Sequence, residues 1–223
     1  MVKIIDKKTT YIGENVEFEG VDIVIYPNVH IDGKCKIYAG TTIYPNTIIK
    51  DSTIESDCEI GPNAFIRDNS VICVGSKIGF SVEIKNSYIG QFCNIKHLAY
   101  VGDTKTGRCV NIGANCVVAN YDGNDKHETF IDSYSFIGSG SVLVAPIKIG
   151  YKSFIAAGST VTKDIDNKTF GIERSELKIK ENKFRFKDSS YEQMSEYFIM
   201  VREKIKEMEE NGTLKKENNK ITN

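Results

Sequence analysis

Aliphatic residues recur along this chain at every sixth position. The run takes in Ile31, Ile37 and Ile43, then Ile54, Ile60, Ile66, Ile72, Ile78 and Ile84, then Ile89, Ile95 and Val101. It resumes with Ile131, Ile137, Leu143, Ile149, Ile155 and Val161, and glycine often follows directly, as at Ile60-Gly61, Ile78-Gly79 and Ile137-Gly138. A helix repeats its apolar face every 3.6 residues and a half-buried strand every second residue, so neither keeps one residue type at every sixth place. The period predicts a hexapeptide solenoid. Three hexads make three short strands that close a triangular coil of roughly 18 residues, each strand pointing its aliphatic inward. Roughly eight such coils fit between Ile12 and Lys163, stacked about 4.8 Å apart. Small residues four places after each aliphatic suit tight corners. Gly and Asn supply unusual backbone angles, as in Gly61-Pro62-Asn63 and Gly113-Ala114-Asn115.

The period does not encode hand. Parallel crossovers are nearly always right-handed, but hexapeptide solenoids are the known exception, and on that resemblance the coil is assigned left-handed. The expected fold is all-β: a left-handed parallel β-helix over residues 1–165, with a C-terminal extension over 166–223. The register fails between Val118 and Ile131, where Asn120 to Thr129 offer no inward aliphatic. That stretch predicts a loop thrown out of the coil, the usual place for function on a solenoid.

After Lys163 the hexads stop. Leu177, Ile179, Phe184 and Phe186 alternate with Lys178, Lys180, Arg185 and Lys187, which predicts an extended segment packed on the last coils. A helix over about 190–211 follows from a Ser190–Gln193 capping box and from Met194, Phe198, Val201, Ile205 and Met208 at helical spacing, ending at Gly212. Such a helix suits covering an open solenoid end. The polar tail from Lys215 is expected to be disordered.

Charge narrows the choice of partners. Among 223 residues, 29 Lys and Arg against 30 Asp and Glu leave a formal net charge of −1, so no global field attracts nucleic acid or an acidic membrane. An anion must be met by a local site. The charged N-terminus lacks the apolar run of a signal peptide, and no stretch approaches a membrane span, which predicts a cytoplasmic protein. Six cysteines at 35, 58, 73, 93, 109 and 116 form no close pairs of the zinc or redox kind. They read as small buried side chains in a reducing compartment.

Several stretches point further: ValGluIleLys at 82–85, LysHisLeuAlaTyrValGlyAsp at 96–103, ValAsnIleGlyAla at 110–114, AsnTyrAspGly at 120–123, ValAlaPro at 144–146 and IleAlaAlaGlySerThrValThr at 155–162. The second and fourth lie where the hexads break, so the repeat does not require them. Together they resemble the acetyltransferase domain of the bifunctional bacterial enzyme that makes UDP-N-acetylglucosamine, a hexapeptide-repeat acyltransferase. The resemblance runs from about Ile60 to Arg174. It implies transfer of an acetyl group from acetyl-CoA to the amine of an amino-sugar phosphate, glucosamine-1-phosphate in that family, with no metal.

Amide formation at a thioester needs a free amine, while an amino sugar near neutral pH is mostly ammonium, so a base that works around neutrality is required. His97 suits that task, and the resemblance makes it the general base, oriented by Glu83. It also implies that Arg67, Lys85 and Lys126 bind the sugar phosphate and that Tyr100 and Asn111 meet sugar hydroxyls. Asn120 and Tyr121 would sit at the acetyl group and thioester, with the Tyr121 amide as oxyanion donor. Ser139 and Ala157 would line the pantetheine channel, and Arg174 would contact the coenzyme phosphate. The family forms each site between neighbouring solenoids of a homotrimer.

The chain departs from the family in lacking the uridylyltransferase half, so uridylyl transfer is not expected. Asn115 replaces a glycine, and His127-Glu128 stands where a more basic pair is usual, which leaves another amino sugar or sugar nucleotide open as acceptor. A zinc carbonic anhydrase of the same fold would need three convergent histidines, and His30, His97 and His127 are widely separated. A non-catalytic solenoid that binds a sugar nucleotide or a partner protein is the third reading.

Overall fold

The computed structural model describes residues 1–180 and 188–211. The first compact unit, Met1–Ser175, is a left-handed parallel β-helix of about nine turns. Three parallel sheets form its faces. The first holds ten strands from Val2–Ile4 to Phe170–Gly171, the second nine from Tyr11–Ile12 to Thr160–Val161, and the third eight from Val16–Glu19 to Ile147–Ile149. Each strand pairs with the strand one turn away, so successive turns place like residues in register. On the second face Ile66 lies beside Ile84, and Phe65, Glu83 and Tyr100 follow one another.

The hexad aliphatics form the core. Ile25, Ile43, Ile60, Ile78 and Ile95 line the first face, and Ile31, Ile49, Ile66, Ile84 and Val101 the second, all fully buried. Each such side chain contributes about 1.5–3 kcal/mol of transfer free energy. Backbone bonds between turns tie the stack: Phe65 N–H donates to Val82 O at 2.9 Å, Glu83 N–H to Ala99 O at 2.9 Å and Tyr100 N–H to Cys116 O at 3.0 Å. The N-terminal coil continues the same stack, with Ile12 beside Ile31 and Phe18 beside Ile37. Its inward residues Ile12, Val16 and Phe18 are only partly buried, and Ile12 and Phe18 keep the six-residue spacing.

Corners follow from residues that tolerate a left-handed backbone. Gly61 and Asn63 turn one corner at φ of 98° and 56°. Between the second and third faces, Asp68, Asn86 and Asp103 turn three successive coils at φ of 56°, 45° and 49°, a geometry that Asn and Asp accept more readily than other non-glycine residues. Thr106 fills an aliphatic place on the third face. Its Oγ1 accepts the Gly90 N–H at 2.9 Å, which satisfies a polar group within the core.

The second unit starts at Glu176. Ile172 to Lys180 carry no regular secondary structure, and the remainder of the expected extended segment lies outside the described residues. The helix spans Asp188–Glu210. It begins two residues before Ser190, and the side chains of the expected capping box lie outside the described residues. Gly212 and the tail from Lys215 lie outside the described residues. No described helix is long and apolar enough to cross a membrane.

Candidate functional site

The polar residues singled out in the sequence gather mainly on the second face and its two corners. Arg67 ends strand Phe65–Arg67, Lys85 ends strand Glu83–Lys85 directly beside it, and Gly102 ends strand Tyr100–Gly102 beside Lys85. Arg67 donates from Nε and Nη2 to Glu83 Oε1 at 3.0 and 2.8 Å, and its Nη1 pairs with Asp68 Oδ2 at 2.7 Å. Burial acts to lower the Arg67 pKa, but the bond to Glu83 and the charge of Asp68 outweigh it, so the guanidinium stays charged. The Lys85 ammonium is pinned between two carboxylates, 3.7 Å from Asp103 and 4.0 Å from Asp68.

Gly102 matters for its missing side chain. A Cβ there would lie 2.6 Å from the Tyr100 hydroxyl and 2.8 Å from Asn120 Nδ2, so both side chains occupy the space above it.

The chain leaves the coil after strand Val117–Ala119 and returns at Thr129–Ile131. The loop between folds on itself. Tyr121 bridges Lys126 in antiparallel fashion, and His127 N–H donates to Asn120 O at 2.8 Å. Asp122 Oδ1 accepts the N–H groups of Asn124 and Asp125, both at 2.8 Å, while its Oδ2 pairs with His127 Nε2 at 2.7 Å. Asn120 is buried at the base and Tyr121 and Lys126 are exposed on the arm. Glu128 pairs with Lys105 at 2.6 Å on the third face, so the negative charge that departs from the family pattern is neutralised there.

His97 ends strand Asn94–His97 at the corner between the first and second faces. Its ring is exposed and has no hydrogen-bond partner among the described residues. The expected orientation of His97 by Glu83 is not what the structure contains: Glu83 is committed to Arg67. The imidazole borders a hollow of about 270 Å³ lined also by Tyr44, Glu59, Lys77, Phe80 and Lys96. Along the same corner, Asn115 N–H donates to His97 O at 3.3 Å, Gly140 N–H to Ala114 O at 2.7 Å, and Gly158 N–H to Ser139 O at 2.8 Å. Arg174 Nε then donates to Ala157 O at 3.0 Å. His97, Ser139, Ala157 and Arg174 therefore stand on one edge. It is lined by small residues, and a Cβ built on Gly158 would meet nothing within 4 Å.

Asn111 is the residue that one chain does not bring in. It lies on the first face beside Asn94 and Phe136, whereas Arg67, Lys85 and Tyr100 stand on the second. Two residues were missed by the sequence reading, Asn86 and Asp103. The signal was available, because Asn86, Asp103 and Asn120 recur at one-turn spacing at a corner. No described group of His, Cys, Asp and Glu could hold a metal ion.

Comparison with known proteins gives relatives over most of the chain. It is 45% identical over 197 residues to the bifunctional protein GlmU of Carboxydothermus hydrogenoformans, covering 81% of this chain and 44% of that protein. The GlmU proteins of Prochlorococcus marinus and Thermotoga maritima are 44% and 41% identical, with 80% and 81% of this chain and 44% of each relative covered. The chain thus spans less than half the length of these relatives. Among solved structures, a UDP-N-acetylglucosamine acyltransferase from Campylobacter jejuni superposes with a TM-score of 0.58 at 18% identity, over 73% of this chain and 68% of that one, a likeness of fold. No family model matches.

Proposed function

Because this chain is a homologue of the GlmU proteins over their C-terminal part, we propose that it transfers an acetyl group from acetyl-CoA to the amine of an amino-sugar phosphate, glucosamine-1-phosphate. The observation that carries the reading is the polar face itself. Arg67, Lys85, Tyr100 and the arm bearing Lys126 surround one stretch of the second face, with His97 at its edge. A phosphate dianion needs paired cations and donors from several directions, and Arg67, Lys85 and Lys126 supply them.

In the proposed reaction the His97 imidazole removes a proton from the sugar nitrogen, whose lone pair attacks the thioester carbonyl carbon. The carbonyl oxygen becomes an oxyanion, for which the Tyr121 N–H is the assigned donor. The C–S bond then breaks, the carbonyl re-forms, and the coenzyme sulfur takes the proton from His97. Glu83 acts through Arg67, holding the guanidinium toward the phosphate. The open edge past Ser139 and Ala157 suits an extended pantetheine arm, and Arg174 at its end suits the coenzyme phosphate.

A homotrimer is part of the proposal, and the placement of Asn111 supports a neighbouring copy. Asn111 lies on the first face and Arg67 and Lys85 on the second, so an Asn111 from a neighbouring copy would complete the set around one ligand. The proposed location is the cytoplasm, since six unpaired cysteines suit a reducing compartment.

The test is a thiol-release assay with acetyl-CoA across amino sugars, their 1-phosphates and 6-phosphates, and amino-sugar nucleotides. Release that requires glucosamine-1-phosphate supports the reading. Preference for another member reassigns the acceptor, and no release with any of them ends the proposal.

A further inference from the structure

We infer that Asp103 is a positioning residue that fixes Lys85 and Asn120 for acyl transfer, an inference that rests on the acetyltransferase reading above. Asp103 turns the corner after strand Tyr100–Gly102 and is held there on both sides. Its N–H donates to Lys85 O at 3.0 Å, and its carbonyl accepts the Thr129 N–H at 3.0 Å. The side chain is only 8% exposed. It reaches one turn down and one turn up, with Oδ1 accepting the Asn86 amide, Oδ2 accepting the Asn120 amide, and Lys85 Nζ 3.7 Å from Oδ2.

The chemistry of those contacts sets two orientations. An ionised carboxylate only accepts hydrogen bonds, so the part of Asn120 that faces it is the NH₂ group. Asn120 Oδ1 is then the atom left with free lone pairs, and a substrate N–H is the partner it can take. Asp103 thereby decides whether Asn120 offers an acceptor or a donor. The same carboxylate, with Asp68 opposite, pins the Lys85 ammonium in place before a phosphate arrives, which removes a flexible side chain's ordering cost from the binding step.

Burial pushes the Asp103 carboxyl up, but the Asn86 and Asn120 amides and the charges of Lys85 and Lys126 outweigh it and hold it below the usual carboxylate range. It is ionised at neutral pH, as the assignment requires. Nothing in the hexad pattern calls for a buried acid at this corner, and a buried charge is retained only where its partners compensate its desolvation.

The experiment uses the full chain and three variants: Asp103→Asn, Asn120→Asp and the double swap. Rates are taken per folded protein, well below each melting temperature. Asp103→Asn keeps the shape but cannot accept from both amides. It should lose about tenfold to a hundredfold in kcat and raise KM for the amino-sugar phosphate. Asn120→Asp sets two carboxylates against each other and should be at least as slow. The swap restores one donor facing one acceptor and should regain about tenfold over the slower single variant. A purely structural Asp103 would leave kcat and KM per folded molecule unchanged, and that result, with the parent active, overturns this inference alone. A swap no faster than the single variants also overturns it. No turnover by the parent with any amino-sugar phosphate overturns the acetyltransferase reading and this inference together.

Discussion

Arg67 gives both Nε and Nη2 to a single oxygen of Glu83, at 3.0 and 2.8 Å, across one turn of the second face. With Nη1 on Asp68, the planar guanidinium is fixed on both sides. Lysine keeps the charge and loses this forked geometry. Arg67→Lys is therefore expected to raise KM for the amino-sugar phosphate about tenfold, the worth of one charge-assisted hydrogen bond, with kcat changed less than threefold or so. Steady-state kinetics with the acceptor varied will show it, and an unchanged KM would take Arg67 out of the phosphate site.

His97 should be separable from stability. Its ring is exposed and has no partner among the described residues, so His97→Ala should melt within about 2 °C of the parent, as surface substitutions do. Turnover should fall by about 10²–10⁴, the usual worth of a general base. Turnover close to that of the parent would remove His97 from the chemistry.

A methyl group on Gly102 should damage the site without damaging the coil. Gly102 has an ordinary backbone, so alanine adds no strain there, but its Cβ would lie 2.6 Å from the Tyr100 hydroxyl and 2.8 Å from Asn120 Nδ2. Gly102→Ala should stay folded and lose about tenfold in kcat/KM for the acceptor. Circular dichroism alongside kinetics distinguishes this from unfolding. Full activity would show that neither displaced group is used.

The extruded loop should respond to acid in a defined window. The His127 ring, followed by the Asp125 and Asn124 N–H groups, holds the Asp122 carboxyl well below its ordinary value of 3.8. A lowered folded-state value means that the loop's stabilisation is complete above 3.8 and is lost as pH falls through the lowered value. Amide protection factors at Asn124 and Asp125 should be flat from about pH 7 to pH 5 and decline only in stronger acid. A loss of protection between pH 7 and pH 5 would remove the Asp122 carboxylate as the group that holds the loop.

Thiol chemistry should divide the six cysteines. Burial first of all pushes the Cys58 thiol up to about 12 and that of Cys73 up to about 11, and Cys35, Cys93 and Cys116 are also buried and raised. Cys109 alone is half-buried. A native thiol titration should therefore show one readily reacting group, and a denatured one all six. Several fast thiols in the native protein would contradict the packed stack, and would also compromise a coenzyme-release assay.

The core was legible because one residue type in one period can point inward in only one kind of coil. Ile31, Ile60 and Ile84 needed no further information. In the N-terminal coil Ile12 and Phe18 keep the spacing of six, although they are only partly buried at the start of the stack. Thr106 escaped because a polar residue in an aliphatic column looks like a break until its bond to Gly90 is seen. The polar residues of the second face could be picked out singly, but not as a set of pairs. Arg67 and Lys85 stand 18 positions apart yet adjoin, and Lys85 and Gly102 adjoin at 17, so which neighbours meet depends on the length of each turn. Glu83 could be given to His97 or to Arg67 from spacing alone. The left-handed corner at Asp103, φ 49°, aims its carboxylate in a way that no periodicity expresses.

Since every strand pairs only with those one turn away, the separations among Arg67, Lys85 and Gly102 are multiples of one inter-strand step, about 4.8 Å. Growth or loss of the rod can spare the chemistry only in complete windings, and only away from the stretch that Arg67 and Arg174 bracket. A single residue gained inside that stretch would rotate every later side chain off its column. Divergence among related chains should therefore collect in the windings before Arg67 and in the extruded arm, where length is decoupled from register.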